Sequence, residues 1–164
     1  MIETEHSLKD LILTAIKSEI DSNMVYSTLA NRIQNGLMKD KFHFLAAEET
    51  KHKDYLEAIF KKKYPKESLV IPKVSIVPLP EITVPIDEDI PLSTILAQAM
   101  NVEQAAHDFY AMLSKKFKDI ETSQMLQYFA DMELGHYRIL QTEKESIERF
   151  EQADVYWEMV HAGP

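Results

Sequence analysis

The sequence predicts an all-α protein, a bundle of four long helices, on three observations. Apolar residues recur at spacings of three and four through two stretches, residues 7–64 and 92–150. Neither stretch contains a proline, whereas six of the seven prolines fall between Pro65 and Pro91. The two stretches also repeat one another at an offset of 84 residues.

Each helix follows from local signals. Ser7 with Asp10 three residues later forms a capping-box pattern, and Asn35-Gly36 reads as a helix C-terminus, so helix 1 is expected from Leu8 to Gln34. Helix 2 is expected from Leu37 to Lys63. Its last residues, Lys61, Lys62 and Lys63, place cations where the helix dipole favours them, a better reading than a nucleic-acid patch. Helix 3 begins at Pro91 or Ser93 and breaks around Lys118 to Thr122, where Asp119 or Thr122 can cap the next helix. Helix 4 then runs to Phe150, and a short separate helix is expected in ADVYWEMV, with Tyr156 and Trp157 packing it onto the bundle or a second subunit.

Composition bounds the chemistry. The chain has 164 residues, 45% hydrophobic and 27% charged, an ordinary globular composition. A net charge of −9 disfavours phosphate backbones and anionic membranes, so neither nucleic acid nor membrane is an expected partner. No run of about 18 apolar residues occurs, and the start MIETEHSLKD lacks the order of a secretion signal, so a cytoplasmic protein is expected. With no cysteine, any metal must be held by oxygen and nitrogen.

The helix stripes carry acids where apolar residues belong. Helix 1 reads Leu8, Leu11 or Ile12, Ala15, Glu19, Tyr26, Leu29, Ile33, and helix 2 reads Phe42, Leu45, Glu49, His52, Leu56, Ile59. Helix 3 reads Ile95 or Leu96, Ala99, Glu103, Tyr110, Leu113, and helix 4 reads Leu126, Phe129, Glu133, His136, Leu140. Glu19, Tyr26, Glu49 and His52 thus recur 84 residues later as Glu103, Tyr110, Glu133 and His136. A glutamate and a histidine three apart on a helix converge on one object. Four carboxylates and two imidazoles therefore share one core layer, with no Lys or Arg on any stripe. Burying one unpaired carboxylate costs several kcal/mol, against a total fold stability of about 5–15 kcal/mol, so compensating cations are required. Two divalent ions would balance the four charges, and oxygen with neutral imidazole suits iron or manganese. One Glu from each of two helices and Glu-x-x-His from each of the others is the ligand pattern of di-iron helical bundles.

On these residues the chain resembles the rubrerythrin branch of the ferritin-like di-iron superfamily over residues 7–150. The resemblance implies two iron ions, replaceable by manganese or zinc, with Glu19 and Glu103 as terminal ligands and Glu49 and Glu133 as bridging ligands. His52 and His136 would each bind one metal, and Tyr26 and Tyr110 would donate hydrogen bonds to ligand carboxylates. Full-length rubrerythrins carry a rubredoxin domain whose cysteines relay electrons. This chain has no cysteine, so an external electron-donor protein is expected as partner. Family members also carry a further acid on the third helix, near the position matched by Glu103, but Met100 and Ala106 are not acidic.

One ferritin-like domain, residues 1–164, is expected: a first hairpin (7–64), a crossover connector (65–91), a second hairpin (92–150) and a C-terminal helix and tail (151–164). A helix of ~27 residues spans ~40 Å, and an extended proline-rich chain at ~3.1 Å per residue reaches about twice that, so helices 2 and 3 are expected to be parallel. The apolar connector suggests a covering loop or the contact of a homodimer. Lone residues read differently. His107 lies one turn after Glu103, but its counterpart is Asn23, so it is expected to support structure or a ligand rather than bind metal. His6, His43 and His161 are assigned no role, and Glu48, matched by Met132, is expected at the surface. The expected function is that of a dinuclear iron oxidoreductase reacting with hydrogen peroxide or dioxygen in oxidative-stress defence. The alternatives are an iron-storage protein with a ferroxidase-type site and a metal-poor helical interaction module.

Overall fold

The structure, a computed structural model, describes residues 7–74 and 90–161, with side chains described as far as Phe150. Its regular structure is helical: α1 (Leu8–Arg32), α2 (Gly36–Lys63), α3 (Leu92–Lys116) and α4 (Ile120–His161). The chain forms two compact units, Met1–Pro78 and Leu79–Pro164, each built around one helix hairpin. Residues 75–89 lie outside the described residues, and with them the expected crossover and the apolar connector.

Helix α1 starts as its sequence dictates. Ser7 accepts from Asp10 N and the Asp10 carboxylate accepts from Ser7 N at 3.2 Å, which satisfies free amides at both ends of the capping box. It ends at Arg32, two residues before the expected Gln34. The Asn35-Gly36 reading is corrected. Asn35 caps the start of α2, its side-chain oxygen accepting from Met38 N at 3.0 Å, and Gly36 is the first helical residue. A connection this short leaves no room for a separate C-terminal motif, so the preference of Asn for N-caps prevails. Asp119 likewise caps α4, accepting from Thr122 N at 2.9 Å. Helix α3 begins after Pro91, which offers no side-chain acceptor.

The expected break near Phe150 is also corrected, since α4 continues unbroken to His161. No proline or glycine lies between Gly135 and Gly163, so nothing in the backbone chemistry interrupts it. The side chains of Tyr156 and Trp157 fall outside the described ones.

The core of each unit follows the predicted stripes. Leu11, Ile12, Ala15, Tyr26, Leu29, Phe42, Leu45 and Leu56 are buried in the first unit. Leu96, Ala99, Tyr110, Leu126, Phe129 and Leu140 are buried in the second. Near the end of α2 Phe60 takes the buried position in place of Ile59, because a stripe alternating three and four drifts around a helix of 3.6 residues per turn. The tyrosines pack differently. Tyr26 stacks on Phe42 with centroids 6.1 Å apart, whereas Tyr110 meets Phe129 edge-on at 5.4 Å.

A candidate metal centre

Mid-length in each hairpin the apolar core gives way to acids. Glu19, Glu49, Glu103 and Glu133 are 2%, 0%, 1% and 3% exposed, as deeply buried as the leucines around them. In the first unit His52 Nδ1 lies 3.4 Å from Glu49 Oε2, one turn away on α2, and 3.6 Å from Glu19 Oε2 across the hairpin. In the second unit His136 Nδ1 lies 3.9 Å from Glu133 Oε2 and 3.6 Å from Glu103 Oε2. Each hairpin therefore brings together three of the six predicted ligands, a triad of one glutamate from the first helix and a Glu-x-x-His pair from the second.

The electrostatics of the first triad are those of a site short of positive charge. Burial, helped by the neighbouring Glu49 carboxylate, pushes the Glu19 carboxyl well above its ordinary range despite the opposing pull of His52. Burial alone would lower the His52 imidazole, but the Glu19 and Glu49 carboxylates outweigh it and raise the group to about 9. Glu19 Oε1 is buried without a hydrogen-bond partner among the described residues. An orphaned buried carboxylate oxygen beside a second carboxylate and an imidazole is what a divalent cation would satisfy. In the second unit Glu103, Glu133 and His136 offer ligand atoms that all lie within 4.8 Å of one another, close enough to share one ion. In both units the donors are oxygen and nitrogen, so the residues fit iron or a similar divalent metal.

Other predicted residues fall into place around the triads. Tyr26 and Tyr110 are each 1% exposed, two turns beyond Glu19 and Glu103. Glu48 is partly exposed and pairs with Lys51 at 2.5 Å, outside the triad. Ala106 is buried and Met100 partly so, and neither adds a carboxylate to α3.

Two residues carry contacts that the stripes did not reveal. Asn23 Nδ2 donates to Ala46 O at 2.6 Å and to Thr50 Oγ1 at 3.1 Å. His107 Nδ1 donates to Ala130 O at 2.8 Å. The available signal was the 84-residue repeat, which relates Asn23 to His107 and Ala46 to Ala130.

Comparison with known proteins agrees with this geometry. A solved structure of a hypothetical protein from Pyrococcus furiosus is 32% identical to this chain, with a TM-score of 0.73 over 91% of this chain and 95% of that one. No curated protein matches the chain. The Rubrerythrin family model matches residues 10–144, a span that contains all four acids, both histidines and both tyrosines described above. The chain is thus all-α and ferritin-like, with carboxylate and histidine groups suited to metal, and it belongs to the rubrerythrin family.

Proposed function

We propose that the protein is a dinuclear non-haem iron oxidoreductase that reduces hydrogen peroxide or dioxygen, drawing electrons from a separate donor protein. The observation that carries this reading is the duplicated triad: two hairpins each bring two buried carboxylates and one imidazole together at matched positions. The four carboxylates balance two divalent ions, and membership of the rubrerythrin family supports iron as the metal. In this reading the chain is one ferritin-like domain in which Glu19, Glu49 and His52 would hold one ion, and Glu103, Glu133 and His136 would hold the other.

When bound, two ferrous ions would supply the two electrons that take hydrogen peroxide to water. The chain's own residues orient, shield and tune. Core packing around Ala15, Leu45, Ala99 and Phe129 excludes bulk water, which strengthens each carboxylate's hold on a cation. The buried hydroxyls of Tyr26 and Tyr110 would hydrogen-bond to ligand carboxylates and hold their orientation, a role whose loss typically lowers metal affinity about 10–100-fold. A cytoplasmic role in oxidative-stress defence is part of the proposal; among the described residues no helix is long and apolar enough to cross a membrane.

The test is anaerobic loading with ferrous iron, followed by the near-ultraviolet spectrum on adding peroxide and, separately, dioxygen. About two irons per chain and rapid oxidation by one of the two oxidants are expected. Binding of one iron or none would sink the dinuclear centre. Mineral accumulation in a large hollow assembly would replace the enzyme with a storage protein.

A further inference from the structure

Asn23 and His107 occupy the same place in the two copies of the hairpin. Each lies one turn beyond the single glutamate of its helix, Glu19 or Glu103, and each donates across the hairpin to the backbone carbonyl three residues before the glutamate of Glu-x-x-His. The accepting groups, Ala46 O and Ala130 O, are equivalent under the same 84-residue repeat. An amide and an imidazole share little beyond an N–H at similar reach, yet both make this bond. The common element is the bond itself.

Its position gives it a purpose. Much of each helix contact is apolar packing, which is non-directional and tolerates small sliding of one helix along the other. Another side-chain bond to a backbone oxygen across the second hairpin, Ser123 Oγ to Ser114 O at 2.8 Å, lies at the α3–α4 turn, away from the triad. A hydrogen bond from a side chain to a backbone oxygen is directional and weakens steeply when displaced. One residue of axial slip is ~1.5 Å, enough to spoil the 3.6 Å approaches across each hairpin, His52 Nδ1 to Glu19 Oε2 and His136 Nδ1 to Glu103 Oε2. We propose that Asn23 and His107 are positioning residues, each locking the axial register of its hairpin so that the lone glutamate of one helix meets the Glu-x-x-His pair of the other. The bond to Ala130 O also commits the His107 ring to a proton on Nδ1.

The inference rests on the metal-centre reading, and its experiment separates the two. Ferrous affinity is measured anaerobically for the wild type, His107→Leu and His107→Asn, the last placing at 107 the residue found at 23. His107→Leu is expected to keep its helical circular dichroism and lose ferrous affinity about tenfold or more, as for lost supporting bonds elsewhere. His107→Asn is expected to recover most of that loss, which a purely space-filling role for the imidazole would not predict. Equal affinity in His107→Leu and wild type overturns the positioning role, and so does an Asn variant as weak as the Leu variant. Nitrogen NMR of the metal-free protein supplies an independent arm: a ring protonated on Nδ1 supports the bond, and a neutral ring protonated only on Nε2 overturns it. A wild type that takes up no ferrous iron overturns the metal reading, and the inter-helix bond is then judged on the ring tautomer alone.

Discussion

The two hairpins carry the same triad in unequal surroundings. The His52 side chain is 16% exposed and sits 3.4 Å from its Glu49, whereas the His136 side chain is 6% exposed and sits 3.9 Å from its Glu133. Asn23 braces the first hairpin and His107 the second. The core around the triad is rearranged as well: Phe42 and Leu45 in α2 correspond to Leu126 and Phe129 in α4, so the large ring and the leucine have exchanged places one turn apart. What the copies hold in common is therefore the set of charged groups and the bond that registers them. The apolar frame has been free to change, provided its volume was kept.

The comparison breaks first at the ligands. Glu49→Leu and its counterpart Glu133→Leu are each expected to abolish iron loading, since each removes a carboxylate proposed as a metal ligand. Their metal-free folds should match or exceed the wild type in stability, by up to about 4 kcal/mol, because an apolar group replaces a buried charge. Iron per chain and thermal melting of metal-free protein check both halves, and loading that survives in one variant removes that glutamate from the ligand set.

A smaller effect concerns pH and tests the first hairpin. The His52 pKa rises from 6.5 unfolded to about 9 folded, so its contribution to stability is complete below pH 6.5 and is lost as pH rises through 9. Glu19, also raised in the fold, acts in the same direction from its unfolded value of 4.5 upward. Metal-free protein should therefore melt at progressively lower temperature between pH 6.5 and 9, and His52→Leu should flatten that slope. A melting temperature that climbs over this range would contradict the charge balance inferred for the triad.

The exchanged core gives a milder test. Phe42→Leu leaves space and Leu45→Phe crowds it, and each alone is expected to cost about 1–3 kcal/mol. Together they recreate the arrangement of Leu126 and Phe129, so the double variant should be less destabilised than the sum by about 1 kcal/mol, measured by denaturant unfolding. Strict additivity would mean that the two frames are not interchangeable.

The smallest effect separates the helix starts. Ser7→Ala removes the capping box of α1 and should cost about 1 kcal/mol. Pro91→Ala, at a start with no side-chain cap bond, should fall within about 0.5 kcal/mol of neutral in the same unfolding assay.

Much of this was legible in the residues. Four helices, the start of α1 at Leu8, a start of α3 within one residue of Leu92, and the six residues Glu19, Glu49, His52, Glu103, Glu133 and His136 as one set are legible, because helical periodicity and caps are local signals and a repeated acid in an apolar stripe stands out from its background. Asn35 departs from its expected role because an Asn-Gly pair suits either end of a helix, and only the neighbouring chain decides which amides it meets. Helix α4 outruns the expected end at Phe150 because no residue there imposes a break.

The sequence by itself determined the helices, the duplication and the chemical inventory of the candidate centre, since each is written in spacings along one chain. Only the tertiary structure decided that Asn23 and His107 reach equivalent carbonyls, Ala46 O and Ala130 O, that His52 is more open than His136, and that Tyr26 stacks where Tyr110 meets its partner edge-on. Those outcomes depend on how two helices slide and rotate against each other. Periodicity specifies which face of a helix is buried, but the axial register of that face against its neighbour is set by the few directional bonds and interlocking side chains that form when the hairpin closes.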